Sequence, residues 1–247
     1  MNKLGAILTS SIITLSGLVL FPTAAYAGTS GDYFTGFSTY NIASSYPAGA
    51  RAYIAPDNPQ VQYVFSTPWV MIANPSYGEY AQVGWFKDPS MYEPELFTEW
   101  NAGNGYHRVF YSGYEGKTHL YTVVDTNRNG AYGGSINFYY DSYDLGQVYW
   151  NNVFVSGPAN SIQYNGEVRN TGDQMPGNGY NKVEFSSVAY YDSNTGSWGS
   201  KPYVSDWYIG YNNDTGTQYA YPNDTLDNSN YSTSDYFTEW DTSATAT

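Results

Sequence analysis

Residues 162–170, IQYNGEVRN, alternate apolar and polar side chains with the two-residue period of a strand. Ile162, Tyr164 and Val168 point to one side, and Gln163, Asn165, Glu167 and Arg169 to the other. Similar Tyr-, Val-, Phe- and Trp-rich runs recur along the chain. They predict strands over 61–65, 68–73, 79–86, 95–100, 106–111, 118–124, 135–140, 147–155, 161–169, 181–191 and 203–210. Gly, Asn, Asp, Pro and Ser punctuate them, and Asn129-Gly130 and residues 112–116 read as hairpin turns. Helical periodicity is nearly missing. The expected fold is all-β, a two-sheet jelly-roll β-sandwich of the concanavalin-like kind. The sandwich is expected over 61–210. Residues 28–60, with weak patterning, are expected to be an edge strand or a short pro-segment, and 211–247 a polar C-terminal extension. FTEW occurs twice, at 97–100 and 237–240, with flanks too different for a repeat; the second copy reads as coincidence or a terminal strand.

The first residues change the picture. Met1-Asn2-Lys3 is a short basic region, an apolar stretch runs from 4 to 21, and Ala25-Tyr26-Ala27 has the small-x-small form of a cleavage site. This order predicts a secretory signal peptide over 1–27 and a secreted, extracellular protein. No later stretch is apolar enough to span a bilayer. The formal net charge of −13 argues against nucleic acid or anionic lipid as a partner. The chain has no cysteine, which excludes a thiol nucleophile and disulfide staples, so packing and hydrogen bonds must hold it together. Its 29 tyrosines are spread over the whole length, as expected of half-buried sheet faces. A monomer is expected.

Several short motifs offer chemistry. His107 and His119 are the two histidines, and no G-x-S-x-G elbow accompanies them. They read as ordinary strand residues. DTNRNG (125–130) matches the first half of a calcium loop, but the twelfth position, which should be acidic, is Ile136. An Asn-Gly turn explains it equally well. DTGT (214–217) has the Asp-Thr-Gly of aspartic proteases without the apolar strand before it or a second copy. GDQMPG (172–177) directly follows the Glu167 strand, so Asp173 and Gln174 are candidate ligand contacts at the mouth of a concave sheet.

A more productive pairing is Gln82, in YAQVGWF (80–86), with Glu167. A carboxyl group passes a proton between water and the leaving amine of a peptide bond. A carboxamide N–H steadies the oxyanion on the scissile carbonyl. Neither task needs a metal or cofactor.

The order of motifs resembles that of the glutamic peptidases, the eqolisin and neprosin-like families. Pro68-Trp69-Val70-Met71-Ile72 is followed by Gln82-Val83-Gly84-Trp85, Phe97-Thr98-Glu99-Trp100, Gly166-Glu167-Val168 and Lys182-Val183-Glu184-Phe185. These five matches span about 65–190. Asn165-Gly166 before the glutamate is closer to the neprosin-like pattern, whereas Gln82 is the eqolisin choice. The resemblance implies a jelly roll in which Glu167 activates water, Gln82 binds the oxyanion, and Trp69 and Glu99 lie in or near the cleft. The expected protein is then a secreted endopeptidase active in acid on peptide or protein substrates. The competing expectation is a non-catalytic jelly-roll binder of polysaccharide or cell wall. It would use Trp85, Trp100, Trp150 and Trp207 as stacking platforms. A glycosidase built on Glu99 and Glu167 is its catalytic branch.

Overall fold

A computed structural model describes residues 30–40, 47–102, 105–125, 134–156, 159–200, 202–221 and 223–242. The expected signal peptide, the Asn129-Gly130 turn and most of the DTNRNG motif lie outside these residues. Fifteen strands are formed among them: β1 (Ser30–Tyr40), β2 (Pro47–Ile54), β3 (Ser66–Asn74), β4 (Glu79–Phe86), β5 (Glu95–Ala102), β6 (Tyr106–Tyr111), β7 (His119–Asp125), β8 (Ser135–Tyr140), β9 (Tyr143–Tyr149), β10 (Ser161–Asn170), β11 (Val183–Asp192), β12 (Ser197–Ser200), β13 (Asp206–Asn212), β14 (Asp224–Asp227) and β15 (Phe237–Asp241). A four-residue helix, α1 (Tyr231–Ser234), precedes the last strand. No described helix is long and apolar enough to cross a membrane.

The strands make two antiparallel sheets packed face to face, the expected all-β sandwich. One has the order β13-β1-β10-β3-β4-β5-β6, the other β14-β15-β11-β2-β7-β8-β9, with β12 on the side of β11. Between them lie the inward halves of the alternating strands. Val70, Ile72, Ala81, Val83, Trp85, Ile162 and Tyr164 of the first sheet meet Ala50, Ala52, Ile54, Tyr121, Val123, Phe138 and Phe185 of the second. Phe185 and Phe237 stack with centroids 4.7 Å apart, and Phe37 meets Phe237 edge-on at 5.5 Å. Buried tyrosines need a partner for their hydroxyl, and Tyr164 donates to Ala189 O at 2.7 Å.

The two ends are built into the sheets. Residues 28–60 supply β1 and β2, neither of which is an edge strand. β1 lies between β13 and β10, and β2 between β11 and β7. Removing β1 as a pro-segment would strip β10 of one hydrogen-bonded neighbour. The 211–247 segment is not a loose extension either, since β14 and β15 complete the second sheet and Phe237 is fully buried. The hydrophobic alternation is faint in both, because inward positions hold Thr and Ala in β1 and β2 and the acids Glu239 and Asp241 in β15. The expected strand over 61–65 is a run of bends leading into β3.

Candidate active site on the seven-stranded sheet

The outward face of the seven-stranded sheet carries the side chains that alternate with the core. β3 contributes Trp69 and Met71, β4 Tyr80, Gln82 and Phe86, β5 Phe97 and Glu99, β6 Tyr106, Arg108 and Phe110, and β10 Asn165, Glu167 and Arg169. Gln82 and Glu167 therefore share one face of one sheet, with β3 between their strands.

Register locates them more closely. Gln163, Met71, Gln82, Glu99 and Arg108 stand on one line across five strands. Glu167 is four residues further along β10, opposite Thr67 and Phe34. That offset is roughly 13 Å of strand. The side chains lean across it. Trp69 Nε1 donates to Glu167 Oε2 at 2.8 Å. The Arg108 guanidinium reaches back to lie 4.1 Å from the Phe86 ring centroid. Glu167 lies within electrostatic reach of both Glu99 and Arg108. Gly84, between Gln82 and Phe86 on β4, is buried against β3; a Cβ there would stand 2.0 Å from Pro68 O.

Glu99 is the hub. Its Oε1 accepts from Tyr80 OH at 2.6 Å and from Gln82 Nε2 at 3.1 Å, and its Oε2 from Arg108 Nε at 2.5 Å. Tyr106 also bonds it. Arg108 is in turn packed among Phe65, Phe86, Phe97, Phe110 and Tyr106, an aromatic nest that favours a cation. One N–H of the Gln82 amide is held by Glu99. This orients the carboxamide and leaves the second N–H for another acceptor.

Glu167 has a different environment. Burial pushes its carboxyl up from the ordinary 4.5 to about 8, and the Asp32 carboxylate adds to the rise; Trp69 opposes it, Glu99 raises it further and Arg108 lowers it. Asp32 is itself raised by burial, with Arg169 pairing it at 2.6 Å in opposition. Glu99, saturated by donors, and Glu167, poorly solvated and with one hydrogen bond, are thus two carboxyl groups with divergent roles.

Of the expected site residues, the structure sets Gln82, Glu167, Trp69 and Glu99 on one face of one sheet, as two hydrogen-bonded pairs: Gln82 with Glu99, and Trp69 with Glu167. It does not bring Asp173 and Gln174 there. The Asp173 carboxylate accepts from the backbone N–H of Gln62, Tyr63 and Val64 at 2.7–2.8 Å. Gln174 accepts from Gln60 N and donates to Gly177 O. Both are nearly buried and tie down the strand-free 57–65 run, so their polar atoms are already used. The residues missed were Tyr80, Arg108 and Asp32. Strand alternation puts Tyr80 beside Gln82; nothing local marks Arg108 or Asp32, which meet the site only through pairing of distant strands.

The expected aromatic platforms are differently placed. Trp85 is fully buried, while Trp100 and Trp207 pack against the core; the Trp150 side chain is outside the described set. His107 stacks on Trp100, and His119 Nδ1 meets Asp141 Oδ2 at 2.6 Å. No group of three or more His, Asp or Glu side chains poised to hold a metal ion occurs among the described residues.

No family model matches the chain, and no curated protein does either. Solved structures do. Scytalido-glutamic peptidase, crystallised with a transition-state analogue inhibitor, matches at TM-score 0.55 and 12% identity, covering 87% of this chain and 99% of its own. SCP-B, an eqolisin peptidase in complex with the tripeptide Ala-Ile-His, matches at TM-score 0.53 and 11% identity, covering 87% and 99%. A Bacillus licheniformis β-glucanase matches more distantly, at TM-score 0.33 over 51% of this chain and 55% of its own. The fold is glutamic-peptidase-like, as the order of motifs suggested.

Proposed function

We propose that this is a secreted endopeptidase that hydrolyses peptide bonds on the outward face of its seven-stranded sheet, with Glu167 managing the protons and Gln82 holding the oxyanion. The observation that carries the reading is the contrast on one face: a Glu99 hub that orients Gln82, and a poorly solvated Glu167 set apart from it. Both glutamic peptidases above match this fold over nearly their whole length, which supports the reading at the level of architecture.

The chemistry uses the proton that Glu167 carries below about pH 8. Oε2 is engaged by Trp69, so Oε1 is the freer oxygen. As water attacks the scissile carbonyl carbon, Glu167 gives its proton to the carbonyl oxygen and takes one from the water. A neutral tetrahedral diol results, and Glu167 is protonated again. In collapse the carboxyl protonates the leaving nitrogen as it recovers a proton from a diol hydroxyl. The free N–H of Gln82 stabilises negative charge developing on the carbonyl oxygen. One proton shuttles at each step and none is consumed. The cycle runs in acid, as the resemblance implied, and stops when Glu167 ionises.

The test is cleavage of a denatured protein at pH 4–5 by the mature chain. Glu167→Gln is expected to lose about 10²–10⁴-fold in kcat, and Gln82→Ala about 10²–10³-fold. Cleavage unaffected by either change in folded protein would refute the assignment. No second reading is favoured: of the expected platforms, Trp85, Trp100 and Trp207 pack in or against the core, and both oxygens of Glu99 already accept hydrogen bonds.

A further inference from the structure

Glu239 lies behind the sheet that carries Glu167. It comes from β15 of the opposite sheet, in the second FTEW, and points into the sandwich. The residue is completely buried. Its Oε2 accepts from Gly166 N at 3.0 Å, across the gap between the sheets. Its Oε1 is buried without a partner. Gly166 is the residue immediately before Glu167, and a Cβ there would stand 1.9 Å from Glu239 Oε1. The carboxyl group therefore occupies the room that a side chain at 166 would fill. Asp224 of β14 is the charged neighbour it feels, and burial before Asp224 holds the Glu239 carboxyl well above the ordinary carboxylate range. Asp224 is raised in the same way, with burial again ahead of the Asp241 carboxylate.

A carboxyl group inside a sandwich is costly unless it is used. Replacing it with an apolar residue would pack the core more simply. The contact it makes is a strut from one sheet to the backbone of the other, at the Asn165–Gly166 peptide just before Glu167.

We propose that Glu239 is a positioning residue for Glu167, bracing the Asn165–Gly166 peptide from behind, one residue before Glu167, so that the carboxyl stands at a fixed height beside Trp69. The inference rests on the peptidase reading for its role in catalysis, though not for the contact itself. It also accounts for Asn165-Gly166-Glu167: the glycine is required because the opposite sheet fills its side-chain space.

The experiment compares Glu239→Gln, Glu239→Leu, Gly166→Ala and the double variant Gly166→Ala/Glu239→Ala with the wild-type chain. Two readouts are taken, kcat and KM on a peptide substrate at pH 5, and the titration midpoint of Glu167 followed by carbon-13 NMR of its carboxyl. Glu239→Gln keeps the acceptor oxygen and should hold kcat within about threefold with the midpoint unchanged. Glu239→Leu and Gly166→Ala should each lower kcat about tenfold or more with KM within about twofold, and move the midpoint. In the double variant the clash is relieved but the Gly166 N–H has lost its acceptor, so the midpoint should stay displaced, as in Glu239→Leu. If Glu239→Leu does not fold, Gly166→Ala against the double variant decides. A midpoint unmoved by Gly166→Ala, or restored to the wild-type value in the double variant, would overturn the proposal. A wild-type chain that cleaves nothing would refute the peptidase reading while the titration still decides the brace.

Discussion

At the scale of single residues, the site turns on how differently two glutamates are treated. Glu99 receives Tyr80, Gln82, Arg108 and Tyr106, whereas Glu167 receives Trp69. A hydrogen bond to a carboxylate favours its ionised form. Trp69→Phe should therefore move the Glu167 midpoint higher still, and carboxyl NMR against pH would register it; a midpoint that stays or falls would mean that the indole N–H does not reach Oε2 in solution. The sequence made these two residues legible unequally. Glu167 stood out because a strand pattern put it on a polar face, and Gln82 through its Q-V-G setting. Glu99 was visible as part of FTEW, but its hub role was not, because Arg108 and Tyr106 reach it only by strand pairing. Asp173 and Gln174 looked like site residues because their loop follows the Glu167 strand directly. Adjacency in sequence did not become adjacency in the cleft.

Among elements, the loop around Asp173 behaves as a clamp. One carboxylate closes three backbone donors of the 62–64 run. Asp173→Ala leaves those N–H groups to water or to nothing. A loss of about 2–3 kcal/mol in unfolding free energy is expected, measurable by urea denaturation, with catalytic constants in the folded protein little changed. The strands with strong alternation were readable almost to the residue: 79–86, 106–111 and 135–140 coincide with β4, β6 and β8. β1, β2, β14 and β15 were not readable as core elements. Gly36 and Gly49 in β1 and β2 interrupt the pattern, and Asp224, Glu239 and Asp241 put acids where apolar residues were expected. The buried acids hid the strands that carry them, and the brace behind Glu167 was hidden with them.

For the whole molecule, several carboxyl groups are held above their ordinary range, with burial the first cause for each: Glu167, Glu239, Asp224, Asp57 and Asp32. A raised acid binds its proton more tightly folded than unfolded. Its stabilising effect is complete below the unfolded pKa of about 4 and is lost as pH rises through the folded value. The net charge of −13 adds self-repulsion at neutral pH. The thermal midpoint should thus be higher at pH 5 than at pH 8, by roughly 5 °C or more, which calorimetry at the two pH values checks. The measurement that bears most directly on the account is the pH profile of kcat/KM for a peptide substrate between pH 3 and 9. A rate sustained in acid and falling through about pH 8, where Glu167 loses its proton, is the expected result. A rate that climbs through pH 8, or no cleavage by the folded chain at any pH, would contradict it.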